Sequence, residues 1–185
     1  MIYKKLVIGV DQSYTKTGIA IAADGQLLKV TSIPFIGLSN NTEKRKKVSN
    51  IITNVLKSNM PKSKETLILC ERIRTFSGGF LSTGYIKSTG ALIATIVDAA
   101  YEFNVRVYSV DTRCWKAAVL GKAHAGKGND KKLAALKYVY KLGFKNVVSI
   151  NKRGKKVYDD DAADAGCIAL SGFHKHVLDT IKLEQ

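Results

Sequence analysis

The sequence predicts an α/β fold, a mixed five-stranded sheet flanked by helices. Three short apolar runs open the chain, and the second and third are joined by Asp24-Gly25, a strong hairpin signal. Two later apolar runs alternate with segments of helical periodicity, the order that builds parallel strands with crossover helices. A length of 185 residues with 45% hydrophobic and 24% charged content suits a single domain over residues 1–185 and excludes wholesale disorder.

The elements follow in order. Residues 5–10, 17–23 and 27–33 read as the first three strands. Val48, Ile51, Ile52, Val55 and Leu56 then keep the i, i+3, i+4 spacing of a helix, with Pro61 just past its end. Residues 66–70 are continuously apolar, as a buried central strand should be, and run directly into Glu71. A Ser-, Thr- and Gly-rich loop follows. A helix is expected from Ile86 to Phe103 and a fifth strand over 105–110. After a loop at 121–129, Asn129 or Asp130 is placed to cap a helix with the stripe Leu133, Leu136 and Tyr140, ended by Gly143. Residues 151–157 form a basic loop, and one last helix runs from Asp160 to about Lys182.

Composition narrows the function. Thirty Lys and Arg against 15 Asp and Glu leave a net charge of +15, which attracts polyanions; a solubilising surface is the plainer alternative. No apolar run approaches the roughly 20 residues that span a bilayer, and the first residues do not form a signal peptide. Three scattered cysteines make no disulfide framework, so a reduced, cytoplasmic protein without a membrane partner is expected.

Four acidic residues stand out. Asp11 follows the first strand and Glu71 the fourth, while Asp161 and Asp164 share one side at the start of the last helix. Carboxylates at the carboxyl ends of neighbouring strands converge on one edge of a sheet, where α/β folds place ligands. Four anions gathered there call for hard divalent cations, Mg²⁺ first and Mn²⁺ as its substitute. Each acid has an ordinary reading too: Asp11 in a turn, Glu71 as a strand-end charge, and Asp159 to Asp161 at a helix N-terminus. Asp160 rivals Asp161, since Asp160 and Asp164 also share a face.

The ordered set resembles the RuvC-type Holliday junction resolvases of the ribonuclease H-like superfamily. Gly9-Val10-Asp11-Gln12-Ser13 with Thr17-Gly18, Leu69-Cys70-Glu71-Arg72, and Asp161-Ala162-Ala163-Asp164-Ala165 carry the resemblance. Gln12-Ser13 replaces the family's usual Pro-Gly, which points to a viral or organellar-like branch. The resemblance implies a Mg²⁺-dependent endodeoxyribonuclease that resolves four-way junctions by paired strand cleavage, with Asp11, Glu71, Asp161 and Asp164 as catalytic metal ligands. Two metals about 4 Å apart would activate a water and stabilise the leaving oxygen. Asp11 would bridge them, Glu71 and Asp164 would complete one side each, and Asp161 would be the fourth ligand or position the water. Two opposing cuts in a two-fold symmetric junction imply a homodimer, with the helix bearing Gly90 and Ala94 as its interface or packed closely on its own sheet.

For DNA contact the resemblance points to Lys116, and to Lys131 or Lys132 with Lys127 close behind. The loop after Glu71 adds Arg72, Arg74, Phe76, Phe80 and Tyr85, a mixture suited to unpaired bases; Phe76 and Phe80 equally suit a cover over the core. Trp115 reads as core packing, and His124, His174 and His176 read as structural, the last two facing different directions. Other readings are a less selective nuclease acting on branched DNA or RNA–DNA hybrids, a sugar kinase or actin-like ATPase, for which the chain is too short, and a non-catalytic junction-binding module.

Overall fold

The computed structural model describes residues 2–38, 40–73, 83–121, 133–151 and 153–184. Strands β1 (Tyr3–Asp11), β2 (Lys16–Ala23) and β3 (Gln26–Pro34) form an antiparallel meander. Asp24 and Gly25 turn β2 into β3 with φ of 47° and 83°, the left-handed pair that a two-residue hairpin needs. Helix α1 (Asn41–Asn59) crosses back to β4 (Ser63–Glu71), which pairs parallel with β1. Helix α2 (Thr83–Tyr101) leads to β5 (Arg106–Val110), parallel to β4. Then come α3 (Thr112–Leu120), α4 (Ala134–Lys141), the short strands β6 (Val148–Ile150) and β7 (Lys156–Tyr158), α5 (Asp160–Ser171), α6 (Lys175–Leu178) and β8 (Lys182–Glu184).

The central sheet is mixed, with the order β3-β2-β1-β4-β5-β8. The first five strands are the expected ones, and the sixth corrects the count. The segment read as one helix to Lys182 stops at Ser171. Gly172 lies so close to the sheet that a Cβ would come within 2.8 Å of Val7 Cγ1, and Lys5 Nζ donates to its carbonyl at 3.1 Å. The chain then turns, forms α6, and pairs β8 with the edge of β5. Residues 151–157, expected as a loop, include the start of β7, which closes a hairpin with β6. Helix α3 has no counterpart in the sequence reading; Asp111 caps it by accepting from the Arg113 amide at 2.8 Å.

Alternation along β1 divides the core into two layers. Leu6, Ile8 and Val10 pack against α1 and α2 through Val48, Ile52, Leu56, Leu92 and Ile96. Val7, Ala20, Ala22 and Leu69 pack on the other face against Trp115, Val139 and α5. The stripe expected on α4 is rotated. Ala135, Leu136 and Val139 are buried, and Tyr140 is 40% exposed with Lys145 Nζ 3.7 Å from its ring centre. Val139 faces Gly166 of α5, so small residues on both helices let them approach. Among the described residues, no helix is long and apolar enough to cross a membrane.

Candidate active site

Asp11 ends β1 and Glu71 ends β4. Val10 pairs with Cys70 in parallel register, so both carboxylates leave the same edge from adjacent strands. Because Val10 and Cys70 point into the α1–α2 layer, Asp11 and Glu71 point to the opposite face, toward α5.

Helix α5 brings the other two acids, and glycines set how closely it lies. A Cβ on Gly9 would overlap the Ala165 carbonyl oxygen and the Ala169 nitrogen. A Cβ on Gly18 would overlap the Asp161 carbonyl. Gly18 is the ladder partner of Asp11, so the first turn of α5 sits directly over the end of β1. Asp159 begins the helix by accepting from the Ala162 amide at 3.1 Å. Asp164 lies one turn further in. The Asp160 side chain is 76% exposed and the Asp161 side chain 22%. The fields of Asp161 and Asp164 reach Asp11.

Three neighbours that sequence reasoning missed hold this arrangement. The Gln12 side-chain amide donates to the Glu71 carbonyl and accepts from the Glu71 amide at 3.2 Å, clamping the two strand ends together. Thr112 donates its hydroxyl to Glu71 Oε1. Lys16 Nζ lies 2.8 Å from Asp159 and 3.0 Å from Asp161, and so fixes the rim of the site. A lysine just before Thr17-Gly18 was the available signal for the last of these.

The electrostatics record the crowding. Burial pushes the Asp11 carboxyl well above the usual range, and Glu71, Asp164 and Asp161 raise it further; its carboxyl also hydrogen-bonds Glu71. Burial also lifts Asp164, Lys116 pulls it back, and Glu71, Asp160 and Asp161 add to the rise, leaving it at about 7. Asp161 is raised by burial against the opposing pull of Lys16. For Asp159 burial is outweighed by Lys16 and Ser32, and the carboxyl ends below its ordinary value.

Among the described residues, no three His, Cys, Asp or Glu side chains are drawn tightly enough to clasp an ion as they stand. The donor set nevertheless fits a hard divalent cation. It offers only carboxylate oxygens, and the hydrogen bond between Asp11 and Glu71 shows the close approach that positive charge would relieve.

No protein-family model matches the chain, and no curated protein matches it. Solved structures do. The Thermus thermophilus RuvC in complex with a Holliday junction substrate superposes with a TM-score of 0.68 at 21% identity, over 97% of this chain and 99% of that one. The chain has the RuvC fold. A second Thermus thermophilus RuvC structure gives 0.66 at 22% identity over the same shares. The yeast mitochondrial Holliday junction resolvase Ydc2 gives 0.56 at 16% identity, over 92% of this chain and 79% of its own. The RuvC fold is ribonuclease H-like, as the resemblance implied.

The residues expected at DNA divide. Lys116 stands on α3 close enough to Asp164 to lower its carboxyl, with Nζ 4.9 Å from the Trp115 ring. Arg72 is directed to protein acceptors instead: it donates to the Ser109 carbonyl at 3.2 Å and the Thr180 carbonyl at 3.1 Å, tying β4 to β5 and the segment before β8. Arg74, Phe76, Lys127, Lys131 and Lys132 lie outside the described residues, as do Phe80 and His124. Trp115 is fully buried, as core packing requires. His174 and His176 meet edge to face at 5.9 Å, contrary to the expected divergence, because His174 is the extended cap of α6 and not part of it.

Proposed function

We propose that the chain is a Mg²⁺-dependent endonuclease that resolves four-way DNA junctions by paired cleavage. The observation that carries this reading is the convergence of Asp11, Glu71, Asp161 and Asp164 on one sheet edge, under the close approach that Gly9 and Gly18 permit. The RuvC fold supports the choice of substrate, since one structure of that fold holds a Holliday junction.

Asp11, Glu71 and Asp164 would hold the ions, two per site with Mn²⁺ able to replace Mg²⁺, and Asp161 would be a fourth ligand or would orient the attacking water. When bound, the ions supply an acidified water and charge neutralisation at the scissile phosphate. The chain's own groups do the positioning. Gln12 and Thr112 hold Glu71 at its backbone and carboxylate, and Lys16 holds Asp161. Lys116 offers a cation to a phosphate beside Asp164.

Paired cleavage needs two sites, and a homodimer provides them. Gly90 is half-buried, with Ile73 Cδ1 3.9 Å from where a Cβ would stand, and Ala94 is exposed. The exposure of Ala94 supports α2 as the contact between copies. Three free cysteines support action in a reducing compartment such as the cytoplasm.

The test is cleavage of matched four-way, three-way and linear DNA with and without Mg²⁺. Strong preference for the four-way substrate is expected. Equal cutting of unbranched RNA–DNA hybrids would favour the less selective nuclease.

A further inference from the structure

The basic segment after α4 is absorbed by none of the machinery described above. It forms a groove of about 540 Å³ between α4 and the β6–β7 hairpin. Lys137, Lys141, Lys145 and Lys156 line it, together with Tyr140 and Tyr158, and among the described residues no carboxylate does. Tyr140 is 40% exposed and Tyr158 43%.

The groove is built and not a chance hollow. Two three-residue strands are marginal alone. Here Asn146 Nδ2 donates to the Val30 carbonyl at 2.8 Å, and the Asp159 amide donates to the Val147 carbonyl at 2.9 Å, fastening the hairpin to β3 and to the start of α5. At the tip, Asn151 Oδ1 accepts from the Arg153 and Lys155 amides at 2.9 and 3.0 Å.

Its place gives it a partner. Tyr158 precedes Asp161 by three residues, at most about 11 Å along the chain. A nucleic-acid strand at the carboxylate edge reaches the groove within a few nucleotides. Lysines suit phosphates, and the exposed Tyr158 ring suits an unstacked base.

We propose that the groove between α4 and the β6–β7 hairpin is a second nucleic-acid contact, which holds the DNA strand flanking the cut through its lysines and stacks a base on Tyr158. The inference rests on the nuclease reading and extends it to residues outside the carboxylate site.

The test is fluorescence anisotropy with a four-way DNA junction and an oligo(dT) probe in EDTA. It compares wild type, Lys141→Glu/Lys156→Glu, and a control, Lys62→Glu/Lys64→Glu, at the other end of β4 from Glu71. At about 100 mM salt the groove variant should bind the junction at least tenfold more weakly, with a salt slope shallower by about 2. The control should change by less than about threefold, as a surface charge remote from the strand should. Tyr158→Ala should weaken oligo(dT) binding about five- to tenfold and Tyr158→Phe should not, since either ring stacks. If charge reversal lowers the melting temperature, Lys141→Gln/Lys156→Gln should still show the effect at smaller size.

Groove and control variants that bind alike would overturn the proposal while leaving the nuclease reading intact. Wild type that binds no DNA would sink both. Loss of binding to phosphatidylcholine–phosphatidylserine vesicles with DNA binding unchanged would overturn it in favour of a membrane surface.

Discussion

Gly18 stands opposite Asp11 across the β1–β2 ladder, and the space its missing side chain leaves is filled by the backbone carbonyl of Asp161. The pair makes the site a consequence of packing: α5 delivers its acids to Asp11 only because nothing projects from Gly18. Gly18→Ala meets a backbone atom that cannot swing away. The substitution should destabilise the fold by about 1–3 kcal/mol and lift α5 from the sheet, cutting cleavage more than tenfold. Thermal melts and single-turnover rates check both effects.

Asp11 carries a carboxyl raised by burial and by its acidic neighbours. Ionising it therefore costs the metal-free fold. Asp11→Asn should be at least as stable as wild type above neutral pH, and its advantage should shrink as acid protonates the native residue. Urea unfolding of both proteins in EDTA, across pH 5 to 8, measures the difference.

Asp164 sits at about 7. Between its unfolded value and about 7 the folded chain holds a proton that the unfolded chain releases, so stability falls as pH rises through this window. Relative to Asp164→Asn, wild type should lose on the order of 3–4 kcal/mol from pH 4 to 7.5 and little beyond. Mg²⁺ affinity should run the other way, falling as pH drops through about 7, because a ligand must shed its proton. Calorimetric titration with Mg²⁺ at several pH values checks the second half.

Asp161 and Asp160 are adjacent but unlike. Asp161 is largely covered and paired to Lys16 at 3.0 Å, whereas Asp160 faces solvent with Lys16 at 3.8 Å. Asp161→Asn should slow Mg²⁺-dependent cleavage by well over tenfold, more than about 1.4 kcal/mol of transition-state stabilisation. Asp160→Asn should cost less than about threefold. Single-turnover cleavage of a four-way junction compares them, and the reverse order would place Asp160 at the metal.

The acids were legible because strand ends announce themselves: an apolar run that stops at Asp11 or Glu71 puts a charge at the sheet edge, and alternation chooses its face. Gly9 and Gly18 appeared only as parts of a motif, since the helix that needs them is more than 140 residues away. Gln12 and Thr112 act through tertiary contacts that no local pattern encodes, and for Lys16 the only local signal is its place just before Thr17-Gly18. The choice between Asp160 and Asp161 was open at the level of helical spacing, and the tilt of α5 on the sheet separates their exposures. Past Ser171 the sequence still suits a helix, through Phe173, His174, Lys175, His176, Val177 and Leu178. The contact of Gly172 with Val7 ends it. Strands β6, β7 and β8 have three residues each, too short for alternation to show.

The measurement that bears most directly on the central claim is cleavage of a four-way junction labelled on each strand, by wild type and Asp11→Asn side by side, in Mg²⁺ and in EDTA. Wild type should cut two opposing strands in Mg²⁺ only, and Asp11→Asn should bind the junction without cutting it. Cleavage that persists in EDTA, or near-normal cleavage by Asp11→Asn, would contradict the assignment of the carboxylate edge as a metal-dependent nuclease site.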